Sequence, residues 1–234
     1  MDKILCVISG GMDSATLLYK AVSNAESGVD KGRGATTVVE AISFDYGQRH
    51  KKELQYASAL CKQLDIKHDV IDISSITPHI GGSSLTDDIE VPEGHYSEDS
   101  MSITVVPNRN AIMLSIAFGI AVARGAKTIG AAMHAGDHAI YPDCRPQFVE
   151  TFDAMQRVAV EGHGHPELHL WTPFINSSKA DIATEGKELD VDYSMTWSCY
   201  KGLSLHCGKC GTCYERREAF ELAGMEDVTA YEDR

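Results

Sequence analysis

No stretch of this 234-residue chain approaches about eighteen consecutive apolar residues, so no membrane-spanning helix is expected. Positive charge is scarce: 21 Lys and Arg stand against 34 Asp and Glu, a net charge of -13. The longest basic block is Arg49-His50-Lys51-Lys52. A direct DNA or RNA partner would call for the opposite sign, so a small molecule is favoured. The apolar run after Lys3 is too short for a secretion signal and ends in glycines, so it reads as a strand in a cytoplasmic protein. Seven cysteines, an odd number without such a signal, argue against a disulfide framework. Internal repeats and low-complexity tracts are absent.

What is present is an alternation. Apolar residues make up 43% of the chain, enough for a packed core. Strand-like runs stand at "KILCVIS", "TTVVEAISF", "KHDVIDI", "KTIGAAM" and "LHLWTPFI". Helical periodicity separates them, in "MDSATLLYKAVSNA", "KKELQYASALCKQLD", "NAIMLSIAFGIAVARGA" and "RPQFVETFDAMQRVAV". After the fifth strand comes "SKADIATEGKELD", with Ser177 or Ser178 as its N-cap. Residues 28–36 read as a polar glycine-rich loop, and residues 74–107 as a long irregular excursion. The pattern predicts an α/β fold of Rossmann type, a five-stranded parallel sheet with helices on both faces. A catalytic unit at residues 1–195 and a tail at 196–234, packed as one body, complete the expected organisation.

Two stretches carry chemistry. The first is "SGGMDS", Ser9 to Ser14, between the first strand and the first helix. Its glycines let backbone approach a ligand, the helix start supplies free N–H groups, and Ser9 and Ser14 add hydroxyls. This is a phosphate cradle without the Gly-Lys-Ser/Thr ending of the Walker loop. Asp13 beside it suits Mg²⁺. The string resembles the PP-loop of the ATP pyrophosphatase superfamily. That likeness implies a nucleotide segment from Ile8 to Leu18, that is Ile8, Ser9, Gly10, Gly11, Met12, Asp13, Ser14, Ala15, Thr16, Leu17 and Leu18. Leu17 and Leu18 are expected there as core.

The second is a cluster of four cysteines, Cys199, Cys207, Cys210 and Cys213. Two-residue gaps with glycines favour one tetrahedral Zn²⁺ in a closed structural site. An iron–sulfur cluster and bare thiols are the alternatives. His206 reads as a bystander, and Cys6, Cys61 and Cys144 as ordinary buried residues.

Three further loops, "FDYGQRH", "VPNRN" and "HAGDHAIYPDCRP", fall where strand ends meet a ligand. Together with the PP-loop and the cysteines they resemble the 7-cyano-7-deazaguanine synthase family of the queuosine precursor pathway, from Lys3 to about Ala223. The resemblance implies a cytoplasmic ligase, a homodimer, that uses ATP and Mg²⁺ to turn 7-carboxy-7-deazaguanine and ammonia into the nitrile. No direct nucleic acid or membrane partner is implied. Ser9, Asp13, Ser14 and Lys179 are then the catalytic candidates, with Lys179 on pyrophosphate. For the substrate, Asp137 or Asp143 would read the guanine edge, Tyr46 or Tyr141 would stack, and Arg109 or Arg145 would hold the carboxylate. Gln48, Arg49 and His50 are further candidates, and His50 or His138 could deprotonate ammonium. The rival readings are a PP-loop tRNA-modifying thiolase and a zinc-dependent nucleotide-binding module.

Overall fold

A strand with neighbours on both sides can bury both of its faces, and β1 (Asp2–Val7) does so. Leu5 and Cys6, which point to opposite faces, are both fully buried. The computed structural model describes residues 2–27, 37–94 and 101–232. The loop expected at 28–36 and residues 95–100 of the long excursion lie outside the described residues. β1 is the centre of a five-stranded parallel sheet with β2 (Thr37–Asp45), β3 (Lys67–Asp72), β4 (Thr128–Gly130) and β5 (His169–Trp171). The order is β3-β2-β1-β4-β5, with every neighbouring pair parallel.

Six α-helices flank the sheet among the described residues: α1 (Met12–Ser27), α2 (Lys52–Gln63), α3 (Arg109–Arg124), α4 (Pro146–Ala159), α5 (Lys179–Glu188) and α6 (Gly211–Leu222). Leu5, Ile42 and Ile129 join Leu114, Phe118 and Phe152 in a core with α3 and α4. Cys6 and Ala41 join Met12, Leu18, Leu60, Ala183 and Phe220 in a second core with α1, α2, α5 and α6. Each buried Leu, Phe or Met contributes on the order of 1.5–3 kcal/mol. The last helix thus shares a core with the first.

The segment Ser102–Arg124, which includes α3, is by length and composition apolar enough to cross a bilayer. One side of it is nevertheless built into the core through Leu114, Ala117, Phe118 and Ala121. α3 stops at Gly125, whose φ of +65° closes the last turn onto the carbonyls of Ala121 and Val122.

The chain leaves β4 earlier than its apolar run suggests. Ala131 keeps one bond, from its N–H to the Trp171 carbonyl, and residues 131–134 then turn to wall a cavity. The final helix starts at Gly211, so Cys213 lies in its first turn. Among its described residues the excursion holds two short 3₁₀ turns, Ser74–His79 and Ser102–Thr104.

The strand order reverses at β1. Successive strands step out through β2 to β3, and β4 returns on the other side of β1. The loops after β1 and β4 therefore part above the sheet and leave a crevice at its carboxyl edge.

Candidate active site

The loop after β1 is held from both sides. Ser14 Oγ donates to the Gly11 carbonyl at 3.1 Å and accepts from the Ser9 N–H at 3.2 Å. Ser9 Oγ accepts from the Gly11 N–H at 3.3 Å. Gly10 has a φ of +85°, and a Cβ there would lie 2.2 Å from the Glu53 carbonyl oxygen. Only glycine lets the first turn of α2 pack this close to the loop. Ala15, Thr16, Leu17 and Leu18 are buried inside α1, and none of them lines the cavity.

The loop opens into a cavity of about 300 Å³ at the crevice. One part of it is ionic. Asp13 Oδ2 lies 3.4 Å from Lys179 Nζ and 3.9 Å from His134 Nε2, and Lys179 Nζ donates to Glu215 Oε2 at 2.6 Å. His134 Nδ1 accepts from the Gly136 N–H at 3.1 Å, so in the neutral ring Nε2 carries the proton toward Asp13 and toward Asp137 at 3.5 Å. Burial works against the Lys179 charge, but Asp13, Glu215 and Asp137 outweigh it and hold the ammonium well above the usual lysine range. A capping box, in which Ser178 and Asp181 bond reciprocally, fixes the start of α5 and with it the stem of Lys179. Asp13 Oδ1 is buried with no hydrogen-bond partner. A buried carboxylate oxygen left bare at a glycine-rich helix start fits a hard divalent cation.

The other part is aromatic. Phe44, Tyr46, Tyr141, Trp197 and Tyr200 line it together with Arg109 and Glu53. The Arg109 guanidinium stands 5.7 Å from the centre of the Tyr46 ring. Tyr141 shares a hydroxyl hydrogen bond with Thr104 at 2.8 Å. Burial pushes the Glu53 carboxyl up to about 7, against the opposing pull of Arg109 and Gln48. His50 lines the cavity with Nδ1 buried and unpartnered. Burial, with Lys52 nearby, lowers its pKa and so favours the neutral ring.

The sequence candidates separate on this geometry. Ser9, Asp13, Ser14, Lys179, Tyr46, Gln48, His50, Arg109, Asp137 and Tyr141 line the cavity. Gln48 spends its amide inside the chain, accepting from the Tyr46 N–H and donating to the Phe44 carbonyl and Glu53. Arg49, Asp143, Arg145 and His138 are not brought to the cavity wall. Arg49 reaches the Ile89 carbonyl at the surface. Asp143 accepts from the Asn110 N–H at 2.9 Å and so caps the first turn of α3. Arg145 precedes α4 and donates to the His138 carbonyl at 2.7 Å.

Sequence reasoning missed Glu53, His134, Trp197, Tyr200 and Glu215. Several of these flank the cysteines, which drew attention only as metal ligands. The four sulfurs lie within 4.8 Å of one another and all four residues are buried. The sulfurs stand 3.4 Å apart for Cys210–Cys213, 3.9 Å for Cys207–Cys213 and 4.0 Å for Cys199–Cys210. Four thiolates on one tetrahedral zinc stand about 3.8 Å apart, given a Zn–S distance of about 2.3 Å. The donor set therefore fits a single ion. The N–H groups of Lys201, Cys207, Lys209 and Cys210 point at sulfur, as thiolates require. Gly208, at a φ of +72°, makes the turn between ligands. His206 is no ligand but a packing partner, stacked 4.1 Å from Trp197 and accepting from the Ser198 N–H.

The family model described as "Queuosine biosynthesis protein QueC" matches residues 3–224. The 7-cyano-7-deazaguanine synthase of Allorhizobium ampelinum is 53% identical over 231 residues, covering 99% of this chain and 93% of the relative. The chain belongs to the 7-cyano-7-deazaguanine synthase family. That of Rhizobium rhizogenes is 51% identical, over 99% of this chain and 92% of the relative. Membership in this synthase family makes the protein an enzyme of queuosine biosynthesis. Among solved structures, the U34-tRNA thiolase NcsA from Methanococcus maripaludis with its [4Fe-4S] cluster superimposes with a TM-score of 0.50, over 99% of this chain and 77% of the thiolase. At 13% identity that likeness concerns the fold alone and not the reaction.

Proposed function

We propose that the chain is an ATP-dependent carbon–nitrogen ligase that converts 7-carboxy-7-deazaguanine and ammonia to 7-cyano-7-deazaguanine. The observation that carries this reading is a single cavity in which the Ser9–Ser14 loop, Asp13 and Lys179 face an aromatic pocket holding Arg109. A carboxylate is a poor electrophile. Attack of its oxygen on the α-phosphorus of ATP releases pyrophosphate and turns that oxygen into a leaving group. Ammonia adds at the carbon, AMP departs with loss of a proton, and an amide remains. The amide oxygen then attacks a second ATP, again releasing pyrophosphate. Loss of AMP and of both protons on the amide nitrogen leaves the C≡N bond.

Both activations use the same parts. The loop N–H groups and the hydroxyls of Ser9 and Ser14 hold phosphate oxygens, and Lys179 meets the departing diphosphate. Asp13, through its bare Oδ1, would hold Mg²⁺, which supplies charge neutralisation on the phosphates. Arg109 fits the substrate carboxylate, with Tyr46 and Tyr141 along the flat ring and Asp137 as an acceptor. The convergence of four sulfurs within 4.8 Å supports one Zn²⁺ over an iron–sulfur cluster, whose ligands bind separate irons and stand further apart. The partners on this reading are small molecules in the cytoplasm and a second copy of the chain, the latter read by light scattering.

The test is incubation with ATP, ammonium and 7-carboxy-7-deazaguanine, following AMP and product mass. The nitrile and two AMP per turnover are expected, and neither product would remove the reading. Lys179→Ala and Asp13→Asn should each lower kcat by about 10²–10³-fold, the scale of a lost charge-stabilising group.

A further inference from the structure

Glu215 reaches the nucleotide end of the cavity from the cysteine-rich tail. It sits on α6, two residues after Cys213, and its carboxylate accepts from Lys179 Nζ at 2.6 Å. That is closer than Asp13, at 3.4 Å from the same nitrogen. Lys179 and Glu215 are both largely withdrawn from solvent, with side-chain exposures of 16% and 13%, so the pair is weakly screened. Nothing in the phosphate cradle calls for an anion there, and a carboxylate beside a polyphosphate site weakens anion binding.

We infer that Glu215 is a positioning residue that competes with the departing diphosphate for Lys179. This rests on the reading of Lys179 as a diphosphate-binding group. With the site free of nucleotide, the ammonium lies on Glu215. Bound phosphates draw it off that carboxylate. After the α-phosphorus bond breaks, Glu215 takes the ammonium back and the diphosphate is freed. No bond to Glu215 forms and no proton moves; only an ion pair is exchanged. The stem of Lys179 is fixed by the Ser178–Asp181 capping box, so the swing is confined to the end of the side chain.

The measurement is pyrophosphate binding by calorimetry, on metal-loaded wild type, Glu215→Gln and Glu215→Ala, with melting temperatures recorded. Removing the charge should tighten pyrophosphate about tenfold, as loss of a nearby like charge does. In turnover, E215Q should lower the KM for ATP and kcat together, because release becomes slow. In a Lys179→Ala background the same substitution should change pyrophosphate affinity by less than about threefold, since the contest is over that lysine. A tenfold effect persisting without Lys179 would mean simple repulsion and would overturn the inference. Equal or weaker pyrophosphate binding by a folded E215Q or E215A overturns it as well, leaving the ligase reading intact. Pyrophosphate binding by neither wild type nor variants would overturn both.

Discussion

The backbone N–H of Trp197 donates to the carbonyl of Gly10 at 2.8 Å, tying the cysteine-rich tail directly to the Ser9–Ser14 loop. Trp197 lies two residues before Cys199. Around this bond the tail is cross-braced by Arg216, which is fully buried. Its guanidinium donates to Thr196, Ser198, Thr229 and the Tyr193 carbonyl. The Tyr193 hydroxyl in turn bonds Thr16 of α1 at 2.8 Å. The four sulfurs therefore do more than fasten an end of the chain: they organise one wall of the cavity.

Metal removal should accordingly disable nucleotide binding and not only stability. Four thiolates converging in a buried site repel one another without a cation between them. Loss of the ion, by chelation under mild denaturant or by Cys213→Ser, should lower the melting temperature by about 10 °C or more, as a cost of about 4 kcal/mol gives in a domain of this size. ATP binding should be lost in the same samples while they remain folded at low temperature. Metal-free protein that keeps full ATP affinity would contradict the Trp197–Gly10 coupling. Elemental analysis should find one zinc per chain.

Gly10→Ala tests the loop from the opposite side. The added methyl would lie 2.2 Å from the Glu53 carbonyl oxygen and 2.8 Å from the Ala57 nitrogen, both backbone atoms that cannot swing aside. The residue would also have to hold a φ of +85°. The two effects together should cost about 3 kcal/mol or more. Urea denaturation reads that loss, and a midpoint unchanged from wild type would show that α2 does not rest on the loop as described.

Much of this arrangement could be read from the residues. The five-stranded parallel sheet follows from the alternation of apolar runs and amphipathic segments. The Ser9–Ser14 string sits at the β1–α1 corner because a parallel sheet puts its first loop at the crevice. What sequence could not give is direction and reach. Arg109 and Arg145 each stand at a helix start, yet the Asn108 left-handed turn precedes one, which lines the cavity, while the other caps a neighbouring carbonyl. Asp137 and Asp143 are six residues apart in one loop, and Asp143 sits inside a 3₁₀ turn, Pro142–Cys144, from which its carboxylate reaches the α3 backbone. Glu53 and Glu215 look like ordinary surface acids of helices, and only packing between distant segments brings each to the cavity.

Glu53 offers a prediction in pH. Its pKa is raised by burial from an ordinary 4.5 to about 7, although Arg109 and Gln48 favour the charged form. Between those values the unfolded chain has released this proton while the folded protein still holds it. Stability contributed by this group therefore falls as pH rises from about 4.5 to about 7, and stays at the lower level above that. Glu53→Gln keeps an oxygen that can accept from Gln48 and removes the charge. Its stability relative to wild type should improve with pH, by on the order of 2–3 kcal/mol between pH 4.5 and pH 8. Urea denaturation of both proteins across that range measures the gap. A gap that is constant with pH would mean that the carboxyl titrates like a solvated one, and that Arg109 neutralises it fully in the folded state. In that case the aromatic end of the cavity would hold a closed ion pair, and Arg109 would have to be drawn from Glu53 before it could receive a substrate carboxylate.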